Sequence, residues 1–327
     1  MSKFVIFRVD ASLSIGSGHL IRCMNLARTL RDRCIDSLFI YRPHSDSIAS
    51  LLLGDDFLSH QLPPLASPST SSLCSSDFSY SDWLGCDEST DAKDFISLLV
   101  SVNISTVDYI VVDHYAIGSV WESMVKSTFS STSLIAIDDL ANREHQVSCL
   151  VDASRFIYTQ NNVYSDLVPE GCHLLIGPQY AFSTPDYGLL SSSIPFRRSL
   201  KRVLIFFGGV DIDDWCSSAL QAINCDLLSY LEIDVVLGMA SPYFEKVSQY
   251  VSCMPNATLH SSLPTLSGLI SRADLALGAG GISSWERACL GLPSVVISVS
   301  SKDRGSGLDS RGTILSYLKK LSPMKRA

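Results

Sequence analysis

Residues 7–30 read FRVDASLSIGSGHLIRCMNLARTL, and this stretch decides the fold class. An apolar run ends at Asp10, a loop carries Gly16, Ser17 and Gly18, and apolar residues then recur at Leu20, Met24, Ala27 and Leu30. Their spacing of three or four predicts a helix that begins at the glycine loop, so the segment reads strand, loop, helix. Glycines let a ligand approach the backbone, and the free N–H groups and dipole of a helix start suit an anion. His19 falls in the first turn, where the positive dipole end favours the neutral imidazole, the form that accepts a proton. Two readings follow: His19 is a general base, or it caps the helix and packs on the loop. The pattern is neither a P-loop nor a dinucleotide fingerprint, because the third glycine and the downstream ribose-binding acid are not evident.

Working outward, short runs of Val, Ile, Leu and Phe recur, most of them followed by helix-compatible stretches, the rhythm of a parallel α/β fold. The predicted strands are Phe4 to Val9, Ser37 to Tyr41, Tyr109 to Val112, Leu134 to Ile137, Cys149 to Val151 and Leu174 to Ile176. The rhythm restarts with Arg202 to Phe207, Ile233 to Leu237, Ala257 to Leu259, Leu275 to Leu277 and Ser294 to Val299. A chain of 327 residues exceeds one ordinary core. We therefore expect a first domain over 1–187, a linker over 188–200 where Arg197 and Arg198 lie without apolar periodicity, a second domain over 201–300 and a tail over 301–327. The Ser- and Pro-rich segment from Leu62 to Tyr80 predicts a surface loop.

The mean hydropathy is +0.22, yet no apolar run nears the roughly 20 residues of a membrane span. Without a signal-like start, the cytoplasm is the expected location. The ten cysteines stand singly, which argues against a zinc site or a disulfide framework. A net charge of −8 argues against nucleic acid and anionic membranes as partners. An anionic ligand must then be held by local devices.

Other strand ends supply such devices. Val111 to Tyr115 reads VVDHY, and ligands of open α/β sheets bind beyond carboxyl ends of strands. Tyr115 can hydrogen-bond a sugar or phosphate, Asp113 can orient a histidine, and His114 joins the candidate set; alternatively the trio bonds only to nearby backbone. Asp138 and Asp139 are carboxylates or helix caps. Phe207 leads into Gly208 and Gly209, a second glycine turn. Residues 278–290, GAGGISSWERACL, combine Gly280 and Gly281 with Ser283 and with Glu286 one turn into a helix. Backbone and hydroxyl donors there suit a diphosphate, and a carboxylate can take two ribose hydroxyls. Trp285 fits packing better than base stacking.

Taken together, FRVDAS with IGSGHLIR, DWLG (Asp82 to Gly85), VVDHY, IDDLANREH (Ile137 to His145), IGPQYAF (Ile176 to Phe182), FFGGVD and GAGGISSWERACLGLPS resemble the UDP-2,4-diacetamido-2,4,6-trideoxy-β-L-altropyranose hydrolases of pseudaminic acid biosynthesis. Those proteins are related to GT-B glycosyltransferases and to spore-coat polysaccharide proteins. The resemblance runs from about Phe7 to Ile297. It implies a GT-B-like α/β fold, two Rossmann-like domains whose parallel sheets face across a cleft. It implies that His19 activates water, that Tyr115 lies beside the reacting sugar, and that Gly16, Ser17 and Gly18 approach the diphosphate. Gly280, Gly281 and Ser283 would contact phosphate and Glu286 the ribose, with Arg22, Asp113, His114, Gly208 and Gly209 completing the substrate-binding set. Water would attack the anomeric carbon with inversion, with neither metal nor cofactor. A monomer is expected, with an acetyltransferase or a nonulosonic acid synthase as a partner in the pathway.

The likeness breaks after Val299. Family members continue with an Asn-Gln pair lining the sugar site, whereas this chain has no Asn beyond Asn256. Three functions follow as alternatives: a hydrolase, a GT-B glycosyltransferase in which an acceptor hydroxyl replaces water, or an inactive nucleotide-sugar-binding protein. No membrane-docking patch is evident, which favours hydrolysis over transfer to a lipid.

Overall fold

The computed structural model describes residues 4–65, 80–154, 163–261 and 263–297. The tail over 301–327 and most of the segment from Leu62 to Tyr80 lie outside them. The chain divides into two compact units at Phe182/Ser183.

In the first unit the elements run β1 (Phe4–Val9), α1 (Gly18–Arg31), β2 (Asp36–Tyr41), α2 (Ala49–Leu53), β3 (Leu58–Gln61), α3 (Glu88–Ser101), β4 (Tyr109–Asp113), α4 (Ser119–Thr128), β5 (Ser133–Ile137), β6 (Cys149–Asp152) and β7 (His173–Ile176). All strand pairs are parallel, in the order β3-β2-β1-β4-β5-β6-β7. Central strands such as FVIFRV and YIVVD are apolar because helices cover both faces of the sheet. On one face Ile6, Ile40, Ile110 and Val112 pack with Phe95, Trp121 and Val125 of α3 and α4. β3 has no such run: its LSHQ is mostly exposed at the sheet edge, where a strand can stay polar.

The second unit runs α5 (Pro185–Ser191), β8 (Arg202–Phe206), α6 (Trp215–Ile223), β9 (Glu232–Val236), α7 (Phe244–Ser252), β10 (Ala257–His260), α8 (Ser267–Arg272), β11 (Leu275–Ala279), α9 (Ile282–Cys289) and β12 (Ser294–Ile297). Its strands are parallel in the order β10-β9-β8-β11-β12. Each sheet therefore reverses its winding between its first strand and the strand beside it, β1/β4 and β8/β11, which creates a crevice at the carboxyl ends.

The expected linker is corrected here. The break falls at Phe182/Ser183 instead of after residue 187, and residues 185–191 form a helix. Tyr187 of that helix is buried among Leu204, Ile270 and Leu290. Arg197 donates to the carbonyls of Ala273 (2.6 Å), Leu290 (2.8 Å), Gly291 (2.9 Å) and Ile270 (3.0 Å). It thus caps the C-terminal ends of α8 and α9, where unpaired carbonyls and the negative dipole end favour a guanidinium.

Candidate functional site

The first unit's crevice is built from the loop after β1 and the end of β4. The pairing of Val9 with Asp113 brings them together. Ser17 is the N-cap of α1, forms no side-chain cap bond, and no acid occupies the first turn. A Cβ added to Gly16 or Gly18 would meet nothing within 4 Å, so the space before this helix start is open.

His19 Nδ1 lies 2.6 Å from Asp113 Oδ1. With Asp113 ionised, Nδ1 carries the proton and Nε2 keeps its lone pair. Arg22 grips both Asp113 oxygens, donating from Nε to Oδ2 (2.6 Å) and from Nη2 to Oδ1 (2.7 Å). Burial disfavours the Asp113 charge, but Arg22 and then His19 overcome it and hold the carboxyl below its usual range. Arg22 Nη1 donates to Asp139 Oδ2 at 2.6 Å, and the Tyr115 hydroxyl donates to the same oxygen at 2.8 Å. Burial and the Asp139 carboxylate push the Tyr115 phenol far up, so it stays protonated. The arrangement is a histidine oriented by a carboxylate whose charge is fixed by an arginine, with a neutral phenol beside it. Chemically it can take a proton from a bound nucleophile.

An aromatic wall surrounds this histidine. The Tyr115 ring meets His19 edge-on at 4.4 Å and stacks with Trp83 at 5.7 Å, and Tyr80 packs edge-on against both Trp83 (4.9 Å) and Tyr115 (5.1 Å). Tyr80 and Trp83 come from a single short turn of helix over Tyr80–Trp83. Spacing in the sequence gave them no role, although Trp83 lies in the DWLG motif. Asp139 is a further member whose partners were not predicted.

The side chain of His114, expected to contact substrate, is buried. Its Nδ1 accepts from the Ala116 amide at 3.1 Å and its Nε2 faces Asp10 Oδ2 at 3.4 Å. Asp10 belongs to a buried ionic network in which Arg8 bonds Asp10 (2.5 Å) and Asp91 (2.8 Å), and Arg42 bonds Asp91 (2.8 Å). Burial lowers the affinity of His114 for a proton, and the Asp10 carboxylate opposes that shift.

In the second unit, the pairing of Phe206 with Gly278 sets the two glycine turns side by side. A Cβ on Gly208, Gly280 or Gly281 would meet nothing within 4 Å, whereas one on Gly238 would lie 2.5 Å from the Gly209 carbonyl. Gly209 is thus engaged by its neighbouring loop, accepting from the Gly238 amide at 2.9 Å. Gly281 is the N-cap of α9 at φ 96°, a conformation that side chains rarely adopt, with no side-chain cap bond and no acid in the first turn. Ser283 and Glu286 are both largely buried. Burial pushes the Glu286 carboxyl up to about 7, partly offset by the Tyr187 hydroxyl. Among the described residues no group of three or more His, Cys, Asp or Glu is arranged to hold a metal ion. No helix among them is long and apolar enough to cross a membrane.

Comparison with solved structures defines the class of fold. MurG of Acinetobacter baumannii superposes with a TM-score of 0.55 at 10% identity, covering 98% of this chain and 93% of that one. A UDP-glucosyltransferase from Polygonum tinctorium gives 0.56 at 13% identity, covering 99% and 94%. The fold is GT-B-like, built of two Rossmann-like units. No protein-family model matches the chain. Among curated proteins it is similar to the spore coat polysaccharide biosynthesis protein SpsG of Bacillus subtilis (strain 168), 26% identical over 144 residues. That match spans 42% of this chain and 42% of SpsG.

Proposed function

We propose that this protein hydrolyses a UDP-activated 2,4-diacetamido-2,4,6-trideoxy sugar, releasing UDP and the free sugar for pseudaminic acid biosynthesis. The observation that carries the reading is the His19–Asp113 contact of 2.6 Å at the β1/β4 crevice. A water oxygen attacks the anomeric carbon while His19 Nε2 takes its proton. The C–O bond to the diphosphate breaks, and the electron pair leaves with UDP. Asp113 then stabilises the imidazolium, and Arg22 keeps Asp113 ionised through the cycle. The N-terminal amides of α9 and the Ser283 hydroxyl take up charge developing on the diphosphate, and Glu286 receives the ribose hydroxyls. Because UDP is a good leaving group, the step calls for neither metal nor cofactor. The SpsG likeness and the GT-B-like fold support a nucleotide-sugar substrate. We assign the protein to the cytoplasm as a monomer, working beside an acetyltransferase or a nonulosonic acid synthase.

The test is UDP release by the purified full chain from that UDP-sugar, with water as sole acceptor and EDTA present. Release in native protein and its loss in His19→Ala, with UDP affinity retained, supports hydrolysis. Release only on addition of an acceptor makes the protein a transferase. Tight UDP binding with no release in either condition makes it a binding protein, and a folded protein that does not bind UDP overturns the reading.

A further inference from the structure

Among the described residues, Arg287 is a buried cation whose hydrogen bonds go to uncharged groups. Its residue is 2% exposed. Nη2 donates to the Ala279 carbonyl at 2.8 Å and to the Ser284 hydroxyl at 3.0 Å, while Nε has no hydrogen-bond partner. Long helical side chains fold back toward the helix N-terminus, and these contacts place the guanidinium at the start of α9, beside the Gly280–Gly281 turn. A Cβ added to Gly278 would lie 2.5 Å from Nη1, so the group is seated at the end of β11. A cation there repels the positive end of the α9 dipole, and the first turn of α9 holds no acid to compensate it. Among the described residues Arg287 forms no ion pair, and the adjacent Glu286 is itself pushed toward its neutral form by burial. The charge that offsets Arg287 is that of Glu286, which burial weakens, so two like fields converge on open glycine turns.

We propose that Arg287 is the buried counter-charge of the diphosphate: it acts through space, beneath the glycine turns, to make the α9 start selective for the number of phosphate charges on a nucleotide. The proposal rests on the nucleotide reading above and adds a positioning residue to it. An arginine that only braces the turn would shape the site equally for UDP and UMP, whose phosphates both meet it. One that supplies charge favours ligands in proportion to theirs.

The experiment is calorimetric or NMR titration of the full chain, native, Arg287→Met and Arg287→Lys, with UDP, UMP and uridine. Charge action predicts that Arg287→Met weakens UDP binding about tenfold or more, UMP about threefold and uridine not at all, while Arg287→Lys stays within about threefold of native for all three. Equal losses for UDP and UMP, a matching loss for uridine, or no loss overturn the proposal. If circular dichroism shows that Arg287→Met is unfolded, Arg287→Lys decides: a preserved UDP-to-uridine affinity ratio supports charge action, and a collapsed ratio overturns it. Folded native protein that binds none of the three nucleotides instead retires the nucleotide reading itself.

Discussion

The end of β1 in the first unit and the end of β8 in the second occupy the same position in the same winding, yet they carry different residues. After β1 come His19 and Arg22, meeting Asp113 at the end of β4 and Asp139; after β8 come Gly208 and Gly209, beside the β11 end that leads into Gly280 and Gly281. In the first crevice charges are compensated by partners a few ångströms apart, with Asp113 bonded by both His19 and Arg22. In the second, backbone is open and, among the described residues, the buried groups Glu286 and Arg287 form no hydrogen-bonded ion pair. Under the proposed function the contrast separates two tasks. Moving a proton needs titratable groups at fixed distances, whereas holding a polyanion needs uncommitted N–H donors and unneutralised positive field.

The sharpest way to break this division is His19→Ala. It is expected to lower turnover about a thousandfold, as for loss of a general base, and to leave the UDP dissociation constant within about twofold. A comparable loss in UDP affinity measured by calorimetry would erase the distinction between the crevices. Next in size is Asp113→Asn, which removes the carboxylate that both His19 and Arg22 bond and leaves Arg22 with Asp139. We expect a stability loss of about 3 kcal/mol in denaturant unfolding, with UDP affinity unchanged. Unaltered stability would mean that the Asp139 carboxylate alone suffices to compensate Arg22.

Glu286 tests the other crevice through pH. Its folded pKa, raised to about 7 by burial, exceeds the unfolded carboxylate value. The folded state therefore holds more protons between about 4.5 and 7, and the stability this group contributes is full below that window and lost as pH rises through it. Glu286→Gln should remove the slope, leaving the variant about 2–3 kcal/mol more stable relative to native at pH 8 than at pH 4.5. An unchanged pH profile would place the carboxyl in water. The smallest effect belongs to Gly281→Ala, which forces a side chain to φ 96°. A cost of about 1–2 kcal/mol, read as several-fold weaker UDP binding with native turnover at saturation, is the expected outcome.

The sequence made both crevices legible where local pattern suffices. The strand-loop-helix at residues 7–30 located His19, and alternating apolar runs located the central strands, because each is set by neighbours within a few positions. It was silent where partners are distant in the chain. Asp113 lies 94 residues from His19 and Asp139 lies 117 from Arg22, so spacing could suggest that Asp113 orients a histidine and could not assign Asp139 or turn His114 inward. The Arg8–Asp91 pair, 83 residues apart, was invisible for the same reason. β3 escaped because an edge strand needs no apolar run. α5 escaped because its seven residues, PDYGLLS, contain one proline and one glycine and bury a single side chain fully.

Arg197 bears on how the molecule can be dissected. A fragment of the second unit starting at Lys201, where its sheet begins, would omit Tyr187 from the core and leave the carbonyls of Ile270, Ala273, Leu290 and Gly291 uncapped. The excision that respects this architecture starts at Ser183, so that the second unit is expressed with the brace that anchors the rear of α8 and α9.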